Sequence, residues 1–129
     1  MSGKILLDTS VIVEILMGTP NVLDNVIRAR EVFVPAIAVG ELVYGALKSA
    51  RVAENLQQVD AFVKANVILP CDAKTAEWYG HIKNVLRTKG RPIPENDLWI
   101  AALARQYGLT LATRDAHFQN IDGLAVVYW

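Results

Sequence analysis

Lys4-Ile5-Leu6-Leu7-Asp8-Thr9-Ser10-Val11-Ile12 is the stretch on which the rest of the reading turns. Its first part is a short apolar run with no polar alternation, the pattern of a strand buried on both faces. Asp8-Thr9-Ser10 then supplies polar side chains suited to capping a helix. Val11, Ile12, Ile15 and Leu16 recur at helical spacing until Gly18-Thr19-Pro20 stops them. A buried strand, a carboxylate at its end and a helix immediately after it form the opening of an α/β unit.

Working outward, similar units recur. Leu23, Val26 and Ile27 mark a second helix, and Val32 to Val34 is a second strand, cut by Pro35. A helix opening at Pro35 or Ala36 runs to about residue 50, with Leu42, Val43, Ala46 and Leu47 as its inner stripe. Leu56, Val59, Phe62 and Val63 mark the next helix, and Val67-Ile68-Leu69, stopped by Pro70, a third strand. Asp72 is placed to cap a long helix carrying Ala76, Tyr79, Ile82, Val85 and Leu86 inward. Gly90 to Pro94 reads as a loop, and residues 95–107 as a helix stopped by Gly108. Leu109 to Ala112 is a fourth strand and Ala125 to Val127 a fifth. Short apolar strands alternating with amphipathic helices predict an α/β fold, a three-layer α/β/α sandwich with a five-stranded parallel sheet.

The chain has 129 residues, which suits one domain spanning 1–129, with no repeat or interdomain linker visible. Hydrophobic residues make up 53% and charged residues 20%, which excludes a disordered tail. Thirteen Lys and Arg against thirteen Asp and Glu leave no net charge, so nucleic acid must be attracted by a local patch rather than by bulk charge. One cysteine, Cys71, excludes an internal disulfide framework and a multi-cysteine zinc site. No segment approaches the ~18 apolar residues of a membrane span, and Asp8 falls where a signal peptide would still be apolar. The expectation is a soluble, cytoplasmic protein.

In parallel sheets, ligands gather at the carboxyl ends of strands, beside the point where strand order reverses. Four carboxylates meet that rule. Asp8 ends the first strand, Asp97 lies in the first turn of its helix, and Asp115 follows the fourth strand in Thr113-Arg114-Asp115. Glu41 sits in the otherwise apolar run from Ala36 to Leu47. Each has a plainer reading alone: Asp8 as a cap, Asp97 as complement to a helix dipole, Asp115 as a turn residue, Glu41 as a solvated helix residue. Together they would repel one another unless a cation filled the space between them. Hard oxygen ligands favour Mg²⁺ or Mn²⁺, and such an ion activates water toward a phosphodiester.

At these residues the chain resembles PIN-domain ribonucleases, and among them toxins of the VapC family. The matching segments are Leu6-Leu7-Asp8-Thr9-Ser10-Val11, Val39-Gly40-Glu41-Leu42-Val43-Tyr44-Gly45, Asn96-Asp97-Leu98-Trp99-Ile100-Ala101-Ala102 and Ala112-Thr113-Arg114-Asp115. The resemblance implies a PIN-like fold and an acidic site of Asp8, Glu41, Asp97 and Asp115 acting both in catalysis and as metal ligands, with Asp8 and Asp97 the firmest. It implies Thr9, Ser10 and Thr113 as supporting residues that orient ligands or the attacking water. The implied activity is Mg²⁺- or Mn²⁺-dependent endonucleolytic cleavage of RNA, with transfer RNA and ribosomal RNA among family substrates. Implied partners are a VapB-type antitoxin and a second copy of the chain in a homodimer.

Lys83, Arg87, Lys89 and Arg91 place four cations within nine residues and are candidate RNA-backbone contacts, against the alternative of a solvated helix end. Arg114 is read as contacting phosphate or, preferentially, pairing with a pocket carboxylate. Trp99 is assigned to core or dimer packing ahead of base stacking. His81 and His117 are read as surface or hydrogen-bonded residues rather than catalysts. Two other functions compete. An aspartate-based phosphatase would use Asp8 as nucleophile, but Ser10 stands where such sites want a second Asp. A non-catalytic RNA- or protein-binding module would have no need of the intact carboxylate set.

Overall fold

The computed structural model describes residues 3–129. Five parallel strands form one sheet: β1 (Lys4–Leu7), β2 (Glu31–Pro35), β3 (Val67–Leu69), β4 (Thr110–Thr113) and β5 (Val126–Tyr128), in the spatial order β3-β2-β1-β4-β5. Six α-helices accompany them: α1 (Thr9–Met17), α2 (Pro20–Arg28), α3 (Ala36–Leu47), α4 (Val52–Ala65), α5 (Ala73–Thr88) and α6 (Glu95–Tyr107). A 3₁₀ turn, Ala116–Asn120, follows β4.

The period-2 geometry of β1 creates the layers. Leu6 faces one core with Ile82, Leu86, Leu98, Ile100, Leu103 and Phe118, from α5, α6 and the 3₁₀ turn. Ile5 and Leu7 face the other, with Val11, Ile12, Val34, Leu42 and Val59, from α1, β2, α3 and α4. Ile5, Leu6 and Leu7 are all buried, as a continuously apolar central strand requires. The expected three-layer architecture is therefore present.

Local chemistry ends α1 and α6 where the sequence predicts. Gly18 and Gly108 adopt φ +77° and +64°, left-handed geometry that closes α1 and α6. Asp72 caps α5, accepting from the Thr75 backbone N–H at 3.0 Å, while Thr75 Oγ1 accepts from the Asp72 N–H. α3 stops at Leu47, earlier than expected. Three positions assigned to inner stripes lie outward instead: Leu47 and Val85 are exposed, as is Ala76. In α5 the inward face is Thr75, Ile82 and Leu86, because the Asp72 cap and a hydrogen bond from Thr75 Oγ1 to Gln106 at 2.5 Å turn Thr75 toward α6. Among the described residues no single helix is long and apolar enough to cross a membrane. Cys71 is a free, half-buried thiol.

Strand order fixes where a site can form. From β1 the chain proceeds to β2 and β3 on one side, then crosses to β4 and β5 on the other. The reversal lies between β1 and β4, and the carboxyl ends of those two strands deliver Asp8 and Thr113.

Candidate active site

Asp8 sits at this reversal, only 2% exposed. Its backbone N–H donates to Ala112 O at 2.9 Å, extending the β1–β4 ladder to the last residue before α1. The carboxylate is held by neutral donors. Oδ1 accepts from the Thr9 backbone N–H at 2.9 Å, and Oδ2 from Ser10 Oγ at 3.0 Å and Thr113 Oγ1 at 2.7 Å. Two hydroxyls saturate Oδ2, while Oδ1 keeps an acceptor position open. Burial pushes the carboxyl above its ordinary value; the hydrogen bonds from Thr113 and Ser10 oppose this and the nearby charge of Asp97 adds to it.

Thr113 and Ser10 connect this carboxylate to the following loop. Thr113 Oγ1 also accepts from the Asp115 N–H at 3.0 Å, and Ser10 Oγ from the Arg114 N–H at 3.1 Å. Thr9 reaches the other way, its hydroxyl donating to Glu41 Oε1 at 2.6 Å and bringing α3 to the start of α1. Thr9, Ser10 and Thr113 thus hydrogen-bond Asp8 and Glu41.

Asp97 enters from the first turn of α6. Its side chain is 13% exposed, and Oδ2 lies 2.7 Å from Nδ1 of His117 in the 3₁₀ turn. Burial raises the Asp97 carboxyl above its ordinary value; His117 works against that rise, and Asp115 and Glu41 reinforce it. The four acidic residues therefore influence one another through Asp97. They do not close on one point: among the described residues no three Asp, Glu, His or Cys side chains are arranged to hold a single ion. Glu41 is turned to Thr9 and Asp97 to His117, so the expected four-carboxylate cage is looser than the sequence suggests.

The donor set still fits a small hard cation. Mg²⁺ keeps several waters and takes one or two carboxylates directly. Asp8 offers Oδ1, and Asp97 Oδ1 has no hydrogen-bond partner among the described residues. Two carboxylates whose burial opposes ionisation gain from a cation between them.

The remaining predicted residues separate. Arg114 does not pair with a pocket carboxylate: its guanidinium donates to the main-chain oxygen of Trp129 at 2.6 Å, because β5 runs beside β4 and brings the end of the chain within reach. Lys83 pairs with Glu95 at 2.9 Å, and Lys89 with Asp122 at 3.0 Å and the Asn120 carbonyl at 3.1 Å. Those two candidate phosphate contacts are paired with acidic side chains of neighbouring elements. Arg87 and Arg91 are exposed, and their guanidinium groups have no ion pair or hydrogen bond among the described residues. Trp99 stacks on Tyr79, with centroids 4.2 Å apart and planes 13° from parallel, in line with its assignment to packing.

His117, read from the sequence as a surface or hydrogen-bonded residue, is hydrogen-bonded to Asp97, a partner the sequence did not indicate. Its proximity to Asp97 depends on a turn with no periodicity to read. The only trace in the sequence is Phe118 beside it, an apolar residue amid polar ones, which anchors the turn at 1% exposure.

This geometry can be compared with known proteins. A family model described as PIN domain matches residues 5–124. The chain belongs to the PIN-domain family. Similar members include Ribonuclease VapC2 of Haemophilus influenzae, 33% identical, and tRNA(fMet)-specific endonuclease VapC of Shigella flexneri, 30% identical; each match covers 98% of both chains. Among solved structures, VapBC2 from Rickettsia felis bound to a promoter DNA fragment superposes on this PIN domain with a TM-score of 0.91 at 27% identity, over 98% of each chain.

Proposed function

We propose that this PIN domain is a divalent-metal-dependent endoribonuclease, the toxin of a VapBC-like toxin–antitoxin pair. The observation that carries the reading is the buried Asp8 carboxylate at the strand-order reversal, under the electrostatic influence of Asp97, which in turn feels Asp115 and Glu41. The relatives named as ribonucleases give it its reaction class.

In this mechanism Asp8 and Asp97 would hold the ion, Mg²⁺ or Mn²⁺. Ser10 and Thr113 fix the orientation of Asp8 before substrate arrives. Asp115 and Glu41 add negative charge beside Asp97 and would accept hydrogen bonds from water in the site. A cation held there would neutralise charge at the phosphate and make water beside it more acidic. Because Asp8 is pinned by two hydroxyls and a backbone N–H, its charge is left for the cation to balance.

RNA is the substrate class, and transfer RNA the first to test, given the relative named for tRNA(fMet). The partner is a VapB-type antitoxin, by likeness to the VapBC complexes. A groove of about 350 Å³ between α1, α3 and α4, lined by Val13, Met17 and Leu42 and reaching Thr9 and Glu41, offers it an apolar seat beside the acidic site. A homodimer acting in the cytoplasm completes the proposal.

The test is incubation of the purified protein with transfer RNA and Mg²⁺ or Mn²⁺. Cleavage is expected to stop with EDTA and to return on metal addition. Asp97→Asn is expected to lower the cleavage rate by about 10²–10³-fold, the effect of a few kcal/mol of lost charge stabilisation. Cleavage that is indifferent to EDTA, or an Asp97→Asn protein with full activity, would overturn the assignment.

A further inference from the structure

We propose that His117 is a positioning residue that fixes the Asp97 carboxylate in the orientation needed to hold the ion. The inference rests on the proposed function in taking Asp97 as an ion ligand, and it assigns a role to a residue outside the acidic set.

The geometry points to it in three ways. First, His117 Nδ1 lies 2.7 Å from Asp97 Oδ2, across 20 residues of sequence. An ionised carboxylate only accepts, so Nδ1–H is the donor. The contact occupies one oxygen and leaves Oδ1 as the one without a protein partner among the described residues. A terminal carboxylate torsion is otherwise broad and nearly two-fold, so a single strong donor decides which oxygen is offered. Partners of this kind are the usual means of orienting metal-ligating side chains.

Second, the fold does not need the imidazole. The His117 side chain is 48% exposed, and Asp97 is its hydrogen-bond partner among the described residues. Packing of the 3₁₀ turn is carried by its neighbour Phe118. A residue so little buried contributes little to the core, so its contact with a largely buried carboxylate calls for a local reason.

Third, the turn is tied down at both ends. Before it, the Asp115 N–H donates to Thr113 Oγ1 at 3.0 Å. After it, Lys89 donates to the Asn120 carbonyl at 3.1 Å and pairs with Asp122, and Arg105 donates to the Gly123 carbonyl at 2.6 Å. Gly123 has φ +75°, and a Cβ there would lie 2.7 Å from the Arg105 guanidinium, so this closure depends on glycine. Lys89 is the C-cap of α5, and Arg105 stands on α6, the helix that carries Asp97. His117 and Asp97 are thus presented to each other by one anchored unit.

The experiment is calorimetric titration of the full chain with Mn²⁺ alone, without RNA, for wild type, His117→Ala, His117→Asn and His117→Gln, with Asp97→Asn as control and thermal melts to verify folding. Asn places its amide nitrogen where Nδ1 stood, one bond from Cγ, whereas Gln places it where Nε2 stood. His117→Ala is expected to weaken Mn²⁺ binding by about 10–100-fold. His117→Asn is expected to recover most of that loss and His117→Gln to recover little. A merely structural role would not follow the position of the donor atom. Wild-type affinity in His117→Ala overturns the proposal, as does an equal loss in all three His117 variants. If Asp97→Asn also binds Mn²⁺ like wild type, the failure lies in the metal-site reading itself; if Asp97→Asn loses the ion while His117→Ala keeps it, only the positioning role falls.

Discussion

The carboxyl end of the sheet and the outer end of α5 hold comparable numbers of charged side chains and use them in opposite ways. Around α5 the charges are exposed, and the two lysines are matched: Lys83 with Glu95, and Lys89 with Asp122. The Tyr79 hydroxyl and Lys83 together hold the Glu95 carboxyl below its ordinary value. Around Asp8 the charges share one sign and are more buried, and their hydrogen-bond partners are hydroxyls, a backbone N–H and one imidazole. Matched charges in water contribute little and bind little else. Unmatched carboxylates out of water work against folding and attract a cation. The excess negative charge at the β1–β4 reversal is therefore the functional asymmetry of a chain whose net charge is zero.

The largest effect on stability is expected where the neutral scaffold of that excess is cut. Thr113 is fully buried, donates to Asp8 Oδ2 at 2.7 Å and accepts from the Asp115 N–H. Thr113→Val keeps the shape but leaves both partners short of a hydrogen bond. Urea unfolding of the metal-free protein is expected to show a loss of about 1–3 kcal/mol. Stability equal to wild type would mean that the hydroxyl scaffold is incidental.

A smaller effect, of opposite sign, is expected from removing the charge itself. The Asp8 carboxyl is raised in the folded state, so the native protein binds a proton more readily than the unfolded chain does. Stability then falls as pH rises from the ordinary carboxylate value of 3.8 through the native value, and the full penalty is present at neutral pH. Asp8→Asn imitates the neutral acid. In EDTA at pH 7 it is expected to melt above wild type, with the gap closing as pH is lowered toward 3.8. A variant melting below wild type across that whole range would contradict the picture of a site strained by charge.

The two regions also differ in how openly the sequence displays them. β1 was legible because a continuous apolar run has one good use in an α/β chain, and Asp8 because it ends that run. Asp72 and Gly108 were legible because capping is local chemistry. Glu41 and Asp97 could be placed near the sheet end by counting strand and helix lengths, though not oriented. Partners chosen by tertiary packing were not legible. Lys83 finds Glu95 only because α5 and α6 lie side by side, Arg114 finds Trp129 because β5 joins β4, and His117 finds Asp97 through a turn without periodicity. A run of cations in sequence does not reveal which of them the fold will neutralise.

That last point yields the smallest expected effect and the finest test of the contrast. Arg87 and Arg91 are the members of the α5 cluster whose side chains have no ion pair among the described residues, whereas Lys83 and Lys89 are engaged. A cation contributes to RNA binding through counterion release only insofar as it is available to a phosphate. Binding of transfer RNA, followed in EDTA across a range of salt concentrations so that no cleavage intervenes, separates the two pairs. Arg87→Ala and Arg91→Ala are each expected to reduce the slope of log affinity against log salt by about 1. Lys83→Ala and Lys89→Ala are expected to leave the slope nearly unchanged, because each lysine must leave a carboxylate to reach a phosphate and the freed acid would then repel the same RNA. Equal slopes in all four variants would show that surface ion pairs on α5 open freely to substrate, and the distinction between committed and available charge would then hold only for the buried half of the molecule.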